Sequence, residues 1–144
     1  MPAAKKPKKA APELAFNHAM IYVRDVAVAL QFYKDLLGFK LIEQYGPSYA
    51  RLRATKGQGS IALHRAEANQ PVHSDGVRLY FEIKDLDKFC VRLQKSGALS
   101  EPPKMMPWGW RHVYLNDPDG HEISLYWAGR KRLQKTVMRK SAAR

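Results

Sequence analysis

At 144 residues the chain has room for one sizeable core and is predicted to form a single compact domain. Charged residues interrupt its apolar runs well short of the ~20 residues that a membrane-spanning helix needs, which excludes such a span, and its single cysteine, Cys90, excludes an internal disulfide or a thiolate metal cluster. The formal charge of +12 is uneven: the first thirteen residues carry +3 and residues 130–144 carry +7, so the segment between them holds only +2.

Residues 1–14, which include Lys-Lys-Pro-Lys-Lys, cannot bury apolar surface and read as a disordered basic tail. Met1 to Pro12 has neither an apolar stretch nor a small-residue cleavage site, so a cytoplasmic rather than secreted address is expected. Asn17 to Arg24 reads as a strand. Asp25 then stands as a helix cap before Val26, Leu30, Tyr33 and Leu37 at helical spacing, and Gly38 is the expected stop. From Phe39 to Ala66 the pattern is strand-like, with breaks at Gly46-Pro47 and Gly57-Gln58-Gly59 that give three strands. Residues 15–67 are thus a βαβββ module, and the polar residues 68–75 are a linker.

A second module, 76–129, repeats the first with a displacement of sixty residues. Val23-Arg24-Asp25-Val26 aligns with Ile83-Lys84-Asp85-Leu86. Leu86, Phe89, Cys90 and Leu93 form the second helix face, Gly97 is its stop, and strands are expected at Ala98–Glu101, Trp110–Asn116 and His121–Trp127. Asp117-Pro118-Asp119-Gly120 is a strong turn. The fold class that follows is α+β: two βαβββ modules forming a cup-shaped, half-barrel-type mixed β-sheet with outer helices. Residues 130–144 form a basic tail, disordered or a short helix, since Leu133 and Val137 lie one helical turn apart.

Asn17-His18-Ala19-Met20, Phe32-Tyr33, Leu37-Gly38-Phe39 and Asp117-Pro118-Asp119-Gly120-His121 fall in the order found in the vicinal oxygen chelate superfamily, which the chain resembles from about Phe16 to Gly129. That superfamily includes glyoxalase I, extradiol dioxygenases and bleomycin-resistance proteins. In its metal-dependent members the resemblance places four ligands on paired strands of the two modules, at His18, Ala62, Arg78 and Ser124 of this chain. Alanine has no donor atom and arginine is a permanent cation, so the usual site is not expected and no cofactor is implied. The alternative is a relocated divalent site for zinc, nickel, manganese or iron at His18, His64 and Glu122, serving a glyoxalase-like lyase or a dioxygenase-like enzyme.

The leading expectation is a cup that binds a small anionic or aromatic molecule without metal, lined by His18, Arg78, Tyr80, Trp108, Trp110, Arg111, Ser124 and Tyr126. Arginines offer forks to carboxylates, and aromatics form apolar walls. A structural reading stands beside each: Arg78 paired with Glu82 or Glu122, and the Met105–Trp110 segment as a packed loop or subunit contact. The expected partners are that ligand, a second copy in the homodimer that the resemblance implies, and nucleic acid bound weakly and without sequence preference by the tails.

Overall fold

The computed structural model describes residues 10–72 and 75–129. The two basic tails expected at 1–14 and 130–144 therefore lie largely or wholly outside the described residues. Of the first, residues 10–14 are described and exposed.

The first module contains β1 (Ala19–Val23), α1 (Val26–Leu30), β2 (Lys40–Tyr45), β3 (Tyr49–Arg53) and β4 (Ser60–Arg65). The second contains β5 (Arg78–Glu82), α2 (Leu86–Lys95), β6 (Lys104–Met105), β7 (Arg111–Asn116) and β8 (Glu122–Trp127). Each module folds into a four-stranded mixed sheet of the same order, β1-β4-β3-β2 and β5-β8-β7-β6. The outer pair of each is parallel and the other pairs are antiparallel. A helix between the first and second strands of a module provides the crossover that a parallel pair requires.

Asp25 caps α1 as its residue type suggests, its carboxylate accepting from the amides of Ala27 and Val28, whereas the side chain of Asp85 makes no such bond. Gly38 and Gly97 stop the helices with φ of 84° and 80°, a left-handed conformation that costs glycine little. Two expectations shift. After Leu30 the first helix widens into a π-helical turn over Gln31–Leu36, so that its buried residues are Val26, Ala29, Phe32 and Tyr33 rather than an evenly spaced stripe through Leu30 and Leu37. The strand expected at Ala98–Glu101 forms instead at Lys104–Met105, beyond Pro102-Pro103, because proline has no N–H for a ladder; Leu99 is a buried anchor before it.

Alternation sets the two faces of each sheet. Ile21, Val23, Ala50, Leu52, Ile61 and Leu63 of the first module, and Leu79, Phe81, Val113, Leu115, Ile123 and Leu125 of the second, belong to one core under the helices. The modules meet through that core, with Phe39 and Phe81 edge to face at 4.9 Å. The Tyr33 hydroxyl crosses between modules to donate to Asp117 Oδ2 at 2.7 Å. Among the described residues the opposite face of each sheet carries no helix, and it is here that the chemistry-bearing side chains gather.

Candidate functional site

On the open face of the second module, His112 stands on β7 next to Tyr126, its register partner on β8. It is only 3% exposed, although it lies away from the helix. The Trp108 indole N–H donates to its Nε2 at 3.1 Å, and its Nδ1 lies 2.9 Å from Ser124 Oγ. An indole nitrogen can only donate, so Nε2 must hold a lone pair and Nδ1 the proton. The imidazole is therefore neutral and donates to Ser124, whose own hydroxyl hydrogen is left to point elsewhere. Burial first, and then the Arg78 charge, hold the His112 pKa below its ordinary value.

Around this pair, Trp110 stacks on Tyr126 at 5.3 Å and 12°, His112 on Tyr126 at 5.3 Å and 15°, and His112 on Tyr114 at 5.7 Å and 17°. Tyr80 meets both His112 and Tyr126 edge-on at 6.0 Å. Arg78 closes one end: its Nε and a terminal nitrogen lie 3.1 and 3.0 Å from Glu122 Oε2, and its guanidinium sits 4.8 Å from the Tyr114 ring centroid. A depression of about 150 Å³ opens beside it, lined by Arg78, Tyr114, Asn116 and Glu122 together with Leu115 and Ile123.

The first module's open face is plainer. Met20 and Arg51 flank Ala62, which is fully buried between them. Arg51 lies 3.6 Å from Glu43. His64 stands between Tyr22 and Tyr49 at 5.5 and 6.3 Å, and its Nδ1–H donates to the Arg65 carbonyl at 2.8 Å. His18 precedes β1, with its Nδ1 2.6 Å from Asn17 Oδ1.

The sequence-selected residues thus divide. Arg78, Tyr80, Trp108, Trp110, Ser124 and Tyr126 gather on one sheet face. Arg111 does not join them. It shares its side of β7 with the core residues Val113 and Leu115, and its guanidinium forks onto Asp87 of α2 and donates to the Pro103 carbonyl. The relocated metal site at His18, His64 and Glu122 is not assembled either. Parallel pairing puts His64 level with Tyr22, four residues along from His18, a separation of roughly 13 Å at the rise of a strand. Glu122 is engaged by Arg78 on the other module. The residues missed in the sequence are His112 and Arg51. Both carry the parity of residues already chosen, His112 with Trp110 and Arg51 opposite Ala62.

At the four positions where metal-dependent relatives would hold an ion, only His18 has a normal ligand atom. Ala62 has none, Arg78 is an ion-paired cation and Ser124 is hydrogen-bonded to His112, so these residues do not fit a metal. A different group, Asp117, Asp119 and His121 in the β7–β8 turn, presents three ligand atoms within 4.8 Å of one another. It is already hydrogen-bonded within itself. Asp117 Oδ1 accepts from the amides of Asp119 and His121, and Oδ2 accepts from the Tyr33 hydroxyl and from His121 Nδ1 at 2.7 Å.

Two βαβββ modules with identical mixed sheets, each covered by a helix on one face and open on the other, define a duplicated α+β protein of the glyoxalase-like class. The model of the Glyoxalase/Bleomycin resistance protein/Dioxygenase superfamily matches residues 15–125, and the chain belongs to that superfamily. It is 30% identical over 120 residues to the uncharacterized protein YaeR of Escherichia coli strain K12, covering 76% of this chain and 93% of that one. A superfamily member from Sphaerobacter thermophilus DSM 20745 superposes with a TM-score of 0.65 at 30% identity, over 79% of this chain and 98% of the other. The lactoylglutathione lyase of Agrobacterium tumefaciens has the same fold, with a TM-score of 0.61 at 22% identity over 81% and 96% of the two chains.

Proposed function

We propose that this protein binds a small anionic or aromatic molecule against its open sheet faces and does so without the metal site of its metal-dependent relatives. The observation that carries this reading is the pair His112–Ser124. A neutral, buried imidazole donates to the side chain standing where a ligating carboxylate would be required, and Arg78 occupies a second ligand position. Stacked aromatics and one paired arginine form a surface for a planar or negatively charged ligand rather than a cation trap.

The depression beside Arg78 falls below the ~300–1,000 Å³ of most small-molecule sites, so a facing surface is needed to enclose a ligand. A second copy supplies one in this reading. β1 and β5 are edge strands, and Met20, Tyr45, Tyr80 and Tyr114 are exposed on the open faces. A homodimer that apposes those faces would bury them and complete the cup.

Metal analysis of protein purified without chelators tests the proposal. Less than about one-tenth equivalent of metal is expected, from the absence of a closed donor set, and stoichiometric zinc, nickel, manganese or iron would overturn it. A metal-dependent lyase or dioxygenase reading draws on the Asp117, Asp119 and His121 group. It requires that Asp119→Asn lower metal content. Weak phosphate binding by the tails draws on their charge alone, and requires that removal of residues 1–13 and 130–144 abolish salt-sensitive binding to DNA.

A further inference from the structure

The basic residues between the two tails are concentrated on the first sheet. Residues 40–66, which supply β2, β3 and β4, hold five lysines or arginines against the single acid Glu43, a net +4, whereas the whole of 14–129 amounts to +2. Strand register fixes where they point. Lys40 is the register partner of Arg53, and Glu43 of Arg51. Leu41, Ala50 and Leu52 belong to the core, so alternation puts Lys40, Arg51 and Arg53 together on the open face. Arg65 shares the parity of Ile61 and Leu63 and lies on the helix side, and Lys56 stands in the β3–β4 loop.

Lys40 and Arg53 stand directly opposite one another, their Cα atoms about 4.5–5.5 Å apart, and like charges so placed destabilise a sheet. Neither has an ion-pair partner among the described residues. Arg51 is two residues from Arg53 on β3, about 6.6 Å away. Glu43 lies 3.6 Å from its Nε and makes no hydrogen bond there. One acid thus offsets one of three cations, and two charges are left uncompensated. The second module solves the same problem internally. Aligning Ala62 with Ser124 places Ser60 at the position of Glu122 and Arg53 at that of Asn116. There the Glu122 carboxylate neutralises Arg78, the cation of its row, at 3.0 Å. The first module has two cations in that row and no carboxylate, and the Ser60 hydroxyl is committed to the Asn17 carbonyl at 3.0 Å.

Resting on the metal-free, anion-binding reading above, we infer that Lys40, Arg51 and Arg53 form a recognition site on the open face of the first sheet for a dianion of the phosphate-monoester class. The ligand brings the negative charge that the second module builds in as Glu122. Two uncompensated cations match a dianion, whereas a monoanion leaves the Lys40–Arg53 repulsion half answered. The three residues sit on two neighbouring strands, and their long side chains span the separations between them, so one phosphate group can meet all three. Arg53 offers a planar fork to two of its oxygens and Lys40 a point charge. Tyr49, two residues from Arg51 on the same face and 5.9 Å from the Tyr45 ring, gives an organic group carried by the phosphate an aromatic neighbour.

Phenyl phosphate and phenyl sulfate, titrated separately into the full-length protein and followed by NMR chemical shifts of the β2–β4 amides, test this inference. The probes share a ring and a tetrahedral head, and at about pH 7.5 they differ by one charge, because the second phosphate pKa is about 6. The wild type should bind phenyl phosphate about 5-fold more tightly, the order expected for one extra charge beside two exposed cations. That ratio, in which charge changes on the protein cancel, should approach one at about pH 5, where both probes are monoanions. Combining Lys40→Gln with Arg53→Gln should abolish the preference at about pH 7.5 without lowering the melting temperature, since it removes an opposed pair of like charges. A wild-type ratio of one at about pH 7.5 overturns the inference; if the double variant then also loses binding, the face belongs to the singly charged phosphodiesters of nucleic acid. An undiminished ratio in the double variant overturns it too and assigns the binding to the basic tails, which that variant keeps. A metal-free protein with either result leaves the reading of a metal-independent binding protein standing, whereas stoichiometric metal overturns that reading whatever the titrations show.

Discussion

Asp117→Asn keeps the shape of the side chain that joins the modules and removes its charge. In the wild type Asp117 is 5% exposed and His121 4% exposed. Oδ1 accepts two backbone amides, and Oδ2 accepts the Tyr33 hydroxyl and His121 Nδ1. An asparagine oxygen can keep both backbone bonds, but its amino group then faces two donors. Tyr33 can rotate its hydroxyl and accept, while His121 can accept at Nδ1 only by giving up a proton. Removing one member of a buried ion pair costs about 3–5 kcal/mol, and the escape open to His121 places the expected loss at the lower end, about 3 kcal/mol. For a domain of this size that is a fall in melting temperature of about 12 °C.

The pH profile separates this account from simple loss of packing. Burial by itself would raise the Asp117 pKa and lower that of His121, yet their mutual hydrogen bond, with the Tyr33 bond to the acid, reverses both directions. A lowered carboxyl pKa stabilises the native state above the unfolded value of about 3.9, and that contribution is lost as pH falls through the folded value. A raised histidine pKa stabilises it below about 6.5, and that contribution is lost as pH rises through the folded value. The wild type should therefore be most stable from about pH 4 to about 6.5 and should weaken above that range. The variant should lack the alkaline decline. Urea unfolding followed by circular dichroism across that range measures both effects. A variant within about 0.5 kcal/mol of wild type, the spread of a neutral surface change, with the same pH profile would refute the ion-pair account.

Leu52→Ala, at a fully buried site between the sheet and its helix, should cost about 2–5 kcal/mol in urea unfolding without a change in m-value. Cys90 is buried, and burial first, then Asp87, pushes its thiol up to about 11. An aromatic disulfide reagent at neutral pH should therefore leave native protein unmodified and label it rapidly once it is denatured. Nitrogen-15 NMR should show His112 protonated at Nδ1 alone near neutral pH and titrating below its ordinary range, and Trp108→Phe should release the other tautomer. His18→Ala should leave the metal content of the purified protein unchanged, because His18 has no co-ligand at Ala62, Arg78 or Ser124.

The duplicated fold was legible because it is written twice. An aspartate at the helix start, an apolar helix face, a glycine stop and a terminal strand recur sixty residues apart, and the Asp25 cap and both glycine stops act locally through hydrogen bonding and backbone sterics. The π-helical turn at Gln31–Leu36 had no such mark, since it depends on Leu37 reaching the Phe32 carbonyl five residues back, a choice made by tertiary packing around Phe32 and Tyr33. The misplaced strand was readable in hindsight: Pro102-Pro103 forbids a ladder through those positions, and the pairing starts after them.

For the site, the alternation of side chains along β7 is the decisive information. Arg111 shares its side of β7 with Val113 and Leu115, and two apolar residues there imply a helix-facing arginine, which is how Asp87 of α2 comes to hold it. The complementary set, Trp110, His112 and Tyr114, was then bound to face outward with Ser124. Strand pairing was not available at all. Whether His18 and His64 could share an ion depends on β1 running parallel to β4 in a register that sets them four residues apart, and no local pattern in either strand encodes its neighbour's offset.

The two faces of each sheet also answer to different constraints. Under the helices, close packing holds both modules to the same small set of apolar side chains, so the repeat stays visible there. On the open faces no helix of the same module packs among the described residues, and the repeats have parted company: Ala62 between Met20 and Arg51 in one, and Ser124 among Tyr80, His112 and Tyr114 in the other. Divergence confined to the unpacked faces is what a ligand-facing surface should show, because changes there alter recognition at little cost to the core. The asymmetry also argues that a metal could not be regained by one substitution. A carboxylate at position 124 would still leave Ala62 without a ligand atom and Arg78 as a fixed cation, and it would take the Nδ1–H of His112 as its nearest donor in place of an ion.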